Sequence, residues 1–331
     1  MANLKDVAKL AGVSTATVSR VINGSEKVSS DTKRKILKAI KTLDFKPSRV
    51  AQRLRYKDGK RKLIGLIVPD IQNPFYVDVV RGVEDVTYAN NFAILICNFA
   101  QNAEREKLYI ELMQIESVDG LIVAPVDEND PKVINLIKSG LPVVCIDRGI
   151  TSEPVDIVVV DNEQGAFNAV DYLISKGHKR IAHIAGLPNI PTSIQRLNGY
   201  KAALKKARIK FDENLVRFGD SKHVSGKNFT EELLNIPEPP TAFFTGNNLI
   251  TLGALETIHS RGLKIPEEIA IIGFDDMPWS ISLNPPLTAV SQPGYDIGRS
   301  SAEMLFQRIY DPNRSTVKLE LKTKLIKRNS C

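Results

Sequence analysis

The 331-residue sequence is poor in the residue types that build covalent or metal-centred sites: three cysteines, four histidines and a single tryptophan. Cys97 and Cys145 sit in the apolar runs ILIC and VVC and Cys331 is the last residue, so they read as small core residues and not as a disulfide framework. No metal-ligand spacing joins the cysteines and histidines, and neither a metal nor a cofactor is expected. No apolar run approaches the roughly 20 residues that cross a bilayer. The opening residues, Met1 to Asp6, hold no apolar signal-peptide core, so the expected compartment is the cytoplasm, with no membrane partner. A Gly-rich phosphate loop after an early strand is missing, as is a nucleophile–base pair with supporting context. An enzyme is therefore not expected.

What is present is charge, unevenly placed. Residues 1–60 hold fifteen Lys/Arg against five Asp/Glu, a net of +10; the rest hold 30 basic and 33 acidic, a net of −3. A basic head on a near-neutral body suits nucleic-acid binding, because Lys and Arg displace counterions from phosphates. A disordered basic tail would lack the periodic apolar residues and helix caps found there.

The head reads as three short helices. Asn3 caps the first, with Leu4, Val7, Ala8 and Leu10 as its apolar contacts, and Gly12 ends it. Ser14 caps a second, from Thr15 to about Ile22, with Val18, Val21 and Ile22 inside and Thr15, Ala16, Ser19 and Arg20 outside; Asn23-Gly24 stops it. Ser29 or Ser30 caps a third, whose Ile36, Leu37, Ile40 and Leu43 close a small core. Two short helices around a tight Gly-containing turn, the second with a polar outer face, form the helix-turn-helix pattern; its second helix fits the DNA major groove, where Arg reads guanine. Residues 48–62 read as a short helix running into a charged linker, too short to persist alone in water.

From residue 63 onward, strand-like runs at 63–68, 92–98, 120–124, 143–146, 157–160, 181–185, 242–245 and 269–274 alternate with amphipathic helices. This β–α alternation implies an α/β body of doubly wound, mostly parallel sheets, and its length suggests two lobes around a cleft. The expected organisation is a head at 1–47, a hinge helix and linker at 48–62, and a two-lobed ligand-binding and dimerisation body at 63–331, with crossovers near 161, 290 and 320.

Residues 4–24 (LKDVAKLAGVSTATVSRVING) closely resemble the head of the LacI/GalR family of bacterial regulators. The likeness continues through 46–54 (KPSRVAQRL), 64–76 (IGLIVPDIQNPFY), 177–182 (GHKRIA) and 272–276 (IGFDD), in order and spacing. The resemblance implies a homodimeric repressor on a near-palindromic operator, with Thr15, Ala16 and Arg20 reading bases beside Ser14, Thr17 and Asn23. It makes 48–55 a minor-groove hinge in which Leu54, helped by Ala51 and Arg55, pries open a base step. The body resembles the periplasmic ribose-binding branch, and the matching positions imply ligand contacts from Asn73, Phe75, Tyr76, Asp147, Arg148, Arg196, Asn247, Asp275 and Gln292. Carboxylates accept from sugar hydroxyls, Arg and Asn donate, and aromatic faces cover the ring. Ribose or a related pentose is the expected effector. Asp147 and Asp275 oppose a sugar phosphate, although Arg148 and Arg196 leave charge alone undecided. Alternatives are a catabolite-control regulator using a phosphocarrier protein and a purine- or nucleoside-responsive repressor. An enzyme of sugar or nucleotide metabolism leaves the basic head unexplained, and a structural nucleoid protein leaves the cleft so. The sequence departs from the family at Ser221, where sugar- and purine-binding relatives usually carry an aromatic, so that the platform on one ligand face is either missing or supplied elsewhere, as by Trp279, and at Asn248, where Asp is common. The family's tetrameric members carry an apolar heptad tail; here the chain ends at Cys331 without one, and a dimer is expected.

Overall fold

The computed structural model describes residues 4–22, 28–43, 45 and 62–331. The expectations for Asn3, Asn23-Gly24, Ala51, Leu54, Arg55 and the hinge helix lie outside the described residues. Two units separate at residues 61 and 62.

In the first unit, α1 (Leu4–Ala11) ends at Gly12, whose φ of +68° is the left-handed turn that Gly tolerates best. Ser14 opens α2 (Thr15–Ile22): its Oγ accepts from the Thr17 N–H at 3.1 Å. Ser29 does the same for α3 (Ser30–Thr42), accepting from the Thr32 N–H at 3.4 Å. Val7, Ala8, Val18, Val21, Ile36, Ala39 and Phe45 form the core. Leu10 and Leu37, expected inside, are 53 % and 52 % exposed. Each lies off the stripe set by its neighbours, Val7-Ala8-Ala11 and Ile36-Ala39-Ile40, and a helix of 3.6 residues per turn carries an off-stripe residue to the water side.

The second unit is two α/β lobes. Lobe 1 opens with β1 (Leu63–Val68), α4 (Pro74–Ala89), β2 (Ala93–Asn98), α5 (Ala103–Glu116), β3 (Gly120–Val123), α6 (Pro131–Lys138), β4 (Val143–Ile146) and β5 (Asp156–Val160). Lobe 2 follows with α7 (Asn162–Ser175), β6 (Ile181–Ala185), α8 (Pro191–Lys206), β7 (Val216–Phe218), α9 (His223–Leu234), β8 (Ala242–Thr245), α10 (Asn248–Ser260), β9 (Ala270–Phe274) and β10 (Thr288–Ser291). The chain then gives α11 (Gly294–Tyr310) and β11 (Lys318–Leu321) to lobe 1, and β12 (Lys324–Ile326) to lobe 2. The sheet of lobe 1 runs β11-β5-β4-β3-β1-β2 and is parallel throughout; that of lobe 2 runs β12-β10-β9-β8-β6-β7, with β12 alone antiparallel among the described strands. Each strand set is sandwiched between helices, which is why the central strands are apolar on both faces.

The chain crosses between lobes after Val160, after Ser291 and between Leu321 and Lys324. Polar bonds tie the crossings together. Asp161 Oδ1 accepts from the Thr323 N–H at 2.7 Å and the Thr323 hydroxyl at 2.8 Å. Beneath it the fully buried Asp156 accepts from Arg308 at 2.7 Å, Arg314 at 2.6 Å and the Val317 N–H at 2.8 Å, joining β5, α11 and β11. Helices meet almost backbone to backbone where glycines face each other: a Cβ on Gly82 would lie 2.1 Å from the Tyr295 carbonyl, and one on Gly298 2.0 Å from that of Val79. No helix among the described residues is long and apolar enough to cross a membrane.

His183, at the centre of lobe 2, stacks between Tyr200 (5.4 Å) and Phe244 (4.8 Å), with its Nδ1 3.0 Å from the Phe244 carbonyl. Burial pushes its pKa down to about 4. An unfolded histidine binds its proton near pH 6.5 and the folded one only near 4, so the unfolded chain binds more protons in that window and stability falls as pH drops through it. His183→Phe keeps the stack and removes the titration. In chemical denaturation between pH 7 and 5, the wild-type midpoint is expected to fall more steeply than that of the variant; parallel falls would remove His183 as the cause. Asp156→Ala leaves two largely buried guanidinium groups without their carboxylate. It is expected to cost about 3–5 kcal/mol of unfolding free energy; a loss within 1 kcal/mol would mean that the crossings hold without this cluster.

Candidate ligand cleft and DNA-reading helix

On α2 the spacing that buries Val18 and Val21 turns Thr15, Ala16 and Arg20 fully outward, with Thr17 half-buried. The Ser14 hydroxyl is engaged at home, capping Thr17 and lying 2.9 Å from its hydroxyl.

In the body, Asn73, Phe75, Tyr76, Asp147, Arg148, Arg196, Asn247, Asp275 and Gln292 all line one cleft between the lobes, about 750 Å³ including its open mouth. Each stands beyond the C-terminal end of a strand, in the first two turns of a helix or at a crossing. After β1, Asn73 caps α4 by accepting from the Phe75 N–H at 2.9 Å, while Pro74 needs no acceptor there. Phe75 and Tyr76 pack edge to face at 4.9 Å, and the Tyr76 hydroxyl donates to Asp147 at 3.1 Å. Arg148 is buried; its Nε donates to the Pro125 carbonyl and an Nη to Gln101 at 3.3 Å. In lobe 2 the Arg196 guanidinium lies 3.8 Å over the Phe274 ring, donating to Asn162 at 2.9 Å and to the Gly246 carbonyl at 2.5 Å. Asn247 caps α10 by accepting from the Ile250 N–H at 2.8 Å, and its amide donates to the Ser221 carbonyl at 2.8 Å. Asp275 accepts from Gln292 on one oxygen and from the Asn248 N–H, at 3.4 Å, on the other.

Two electrostatic consequences follow. Burial raises the pKa of Asp275, against the opposing pull of Arg196 and the Gln292 bond. Burial and the Asp147 charge raise that of Tyr76, which stays a neutral donor. The backbone is strained at the same place: Ala100, Gln101, Asp147, Ser221 and Asp275, all lining the cleft, have φ between +52° and +74°. Non-Gly residues in this region cost of order 1–3 kcal/mol each and cluster where function requires them.

Several cleft residues escaped sequence reasoning. Gln101, Thr192, Ser193 and Lys222 line it, and the Ser193 hydroxyl is buried with no hydrogen-bond partner among the described residues. The start of α8 at Pro191 was the available signal for Thr192 and Ser193. Glu106 supports the site from behind: its carboxylate accepts from the Val126 N–H at 3.1 Å, next to the carbonyl that holds Arg148. Burial, reinforced by Asp130, pushes its pKa up to about 8. Trp279 does not supply the missing platform. It packs against the apolar core of lobe 2, and the apolar part of the lobe 2 lining is aliphatic: Leu187, Ile190 and Leu249. Asn248 reaches across the cleft instead, its amide donating to Asn73 Oδ1 at 2.7 Å.

Comparison with known proteins agrees with this architecture. Residues 3–48 match the family described as bacterial regulatory proteins, lacI family, and residues 61–329 match periplasmic binding proteins and sugar binding domain of LacI family. The HTH-type transcriptional repressor PurR of Aliivibrio fischeri (strain MJ11) is 34 % identical over all of this chain and 98 % of its own. The lac repressor dimer bound to operator and the anti-inducer ONPF is 27 % identical, with a TM-score of 0.81 over 99 % of this chain and 98 % of that one. A LacI family transcriptional regulator from Enterococcus faecium with bound ribose is 32 % identical, with a TM-score of 0.73 over 81 % of this chain and 98 % of that one. Full-length relatives that are regulators and a helix-turn-helix head identify a DNA-binding transcriptional regulator: the chain belongs to the LacI family of bacterial regulatory proteins.

Proposed function

We propose that this regulator is a homodimer on a near-palindromic operator, and that ribose or a close pentose relative is its effector. The observation that carries the reading is the convergence of nine side chains on one cleft, five of them from lobe 1 beyond β1 (Asn73, Phe75, Tyr76) and β4 (Asp147, Arg148). Asp147 and Asp275 supply acceptors for sugar hydroxyls, Arg148, Arg196 and Asn247 supply donors, and Phe75 and Tyr76 cover one ring face. The relative with bound ribose supports a pentose. Ligand acts by its differential affinity for two arrangements of the dimer, so operator must change ligand affinity by the same factor as ligand changes operator affinity. On α2, Thr15, Ala16 and Arg20 read base edges, and Ser14 and Thr17 stand beside them.

Arg20→Ala is expected to weaken operator binding by about 1–3 kcal/mol and to relax specificity at one base pair per half-site. Binding to the operator and to a shuffled duplex measures this; equal losses on both would reduce Arg20 to a phosphate contact. Ribose titrated calorimetrically into the full chain should bind, and Asp275→Ala should lose about tenfold or more of that affinity. Ribose affinity should also differ with and without operator. No pentose binding rejects the effector, whereas binding unaffected by operator rejects the switch. Heat from nucleosides alone would favour the nucleoside-responsive alternative, and heat only on addition of the phosphocarrier protein would favour catabolite control.

A further inference from the structure

Asn248 is the first residue of α10, where the exposed N–H groups give the helix end a partial positive charge. An aspartate would suit that position better by charge, and its shape is the same. What asparagine has and aspartate lacks is a pair of donor hydrogens. One is used on a single partner in the other lobe: Asn73 Oδ1, 2.7 Å away. Both residues are buried, Asn248 to 1 % and Asn73 to 8 % exposure, so the bond lies out of water, where it is worth most.

The acceptor end is equally constrained. Asn73 Oδ1 already accepts from the Phe75 N–H at 2.9 Å, so turning the Asn73 amide around would uncap α4. The Asn248 carbonyl oxygen is buried with no partner among the described residues, and its backbone N–H faces Asp275 at 3.4 Å. The side-chain amide nitrogen of Asn248 also donates to Met277 Sδ at 3.4 Å within lobe 2, so the donor end of the side chain is the one with partners in both lobes. The bond joins the lobes with protein atoms alone.

We infer that Asn248 is a positioning residue, a latch that holds lobe 2 closed onto lobe 1 through Asn73 before any effector enters. The cap oxygen of Asn73 is then a lobe-to-lobe contact, and only its amide nitrogen remains for a ligand. With the latch made, closure no longer has to be driven by the ligand. A protein whose binding-competent form is mostly populated shows nearly the intrinsic affinity, whereas one populated a tenth of the time binds about tenfold more weakly. The affinity arm of this inference rests on the pentose reading above; the ligand-free arm does not.

The test is hydrogen–deuterium exchange on the full chain without ligand, comparing wild type with Asn248→Ala and Asn248→Asp. The aspartate variant keeps the shape and favours the helix end, so it preserves the comparison if the alanine variant unfolds. Exchange in segments 70–76 and 247–250 should rise about tenfold in both variants, while peptides from β3 and β6 stay protected. Calorimetry with ribose should show about tenfold weaker binding to the aspartate variant. Unchanged protection of residues 70–76 in Asn248→Asp overturns the latch. Faster exchange there without ribose binding by any form leaves the latch standing and rejects the pentose.

Discussion

The body depends on one buried carboxylate facing two guanidinium groups. Three strands of chain pass between the lobes, and they belong to distant parts of the sequence. Asp156 joins the first, through β5, to α11 and β11, which reach lobe 1 only after all of lobe 2 but its last strand, β12. Asp161 then fixes the last crossing through Thr323. The parallel sheets aim the C-terminal ends of their strands at a common cleft only while these crossings stay side by side. A buried ion cluster adds little net stability compared with well-packed apolar residues, but it is satisfied by one arrangement, and a mispaired strand would strand its charges.

At the cleft the same economy of geometry appears in the backbone. Asp147 and Asp275 end their strands in left-handed turns, which aspartate tolerates better than most residues but still at a cost in energy. Surrounding contacts hold them there: Tyr76 on Asp147, and Gln292 with Asn248 on Asp275. The acceptors are therefore aimed before a ligand arrives, which lowers the ordering cost of binding.

Much of this was legible in the sequence, for identifiable reasons. The caps at Ser14 and Ser29 and the turn at Gly12 act within a few residues, so the head could be read locally. The buried strands announce themselves as short apolar runs. The strands that escaped are the edge strands β11, where KLEL alternates charged with apolar residues, and β12, only three residues long, with the short β7 and β10. Their identity as strands comes from a partner far away in sequence, as when β11 pairs with β5. The cleft residues were found because the family likeness carried them; nothing local marks Gln101, or distinguishes an asparagine that grips the opposite lobe from one that caps a helix. Leu10, Leu37 and Trp279 show the limit of reading residue type without direction, since a one-position offset on a helix or a loop of unknown course decides which side a large side chain takes.

The glycine contacts between helices bear on how such a body can change shape. Where Gly82 and Gly298 bring α4 and α11 into backbone contact, neither helix can slide or roll without driving carbonyl oxygens into main chain, and Gly226 and Gly253 do the same for α9 and α10. Each lobe is thereby stiff, with little slack to absorb a disturbance. A stiff lobe pivoting at the three crossings behaves as a lever: a small angular change there grows into a displacement in proportion to distance from them. The smallest residue in the alphabet, placed where helices touch, thus lets each lobe pass such a displacement on undiminished.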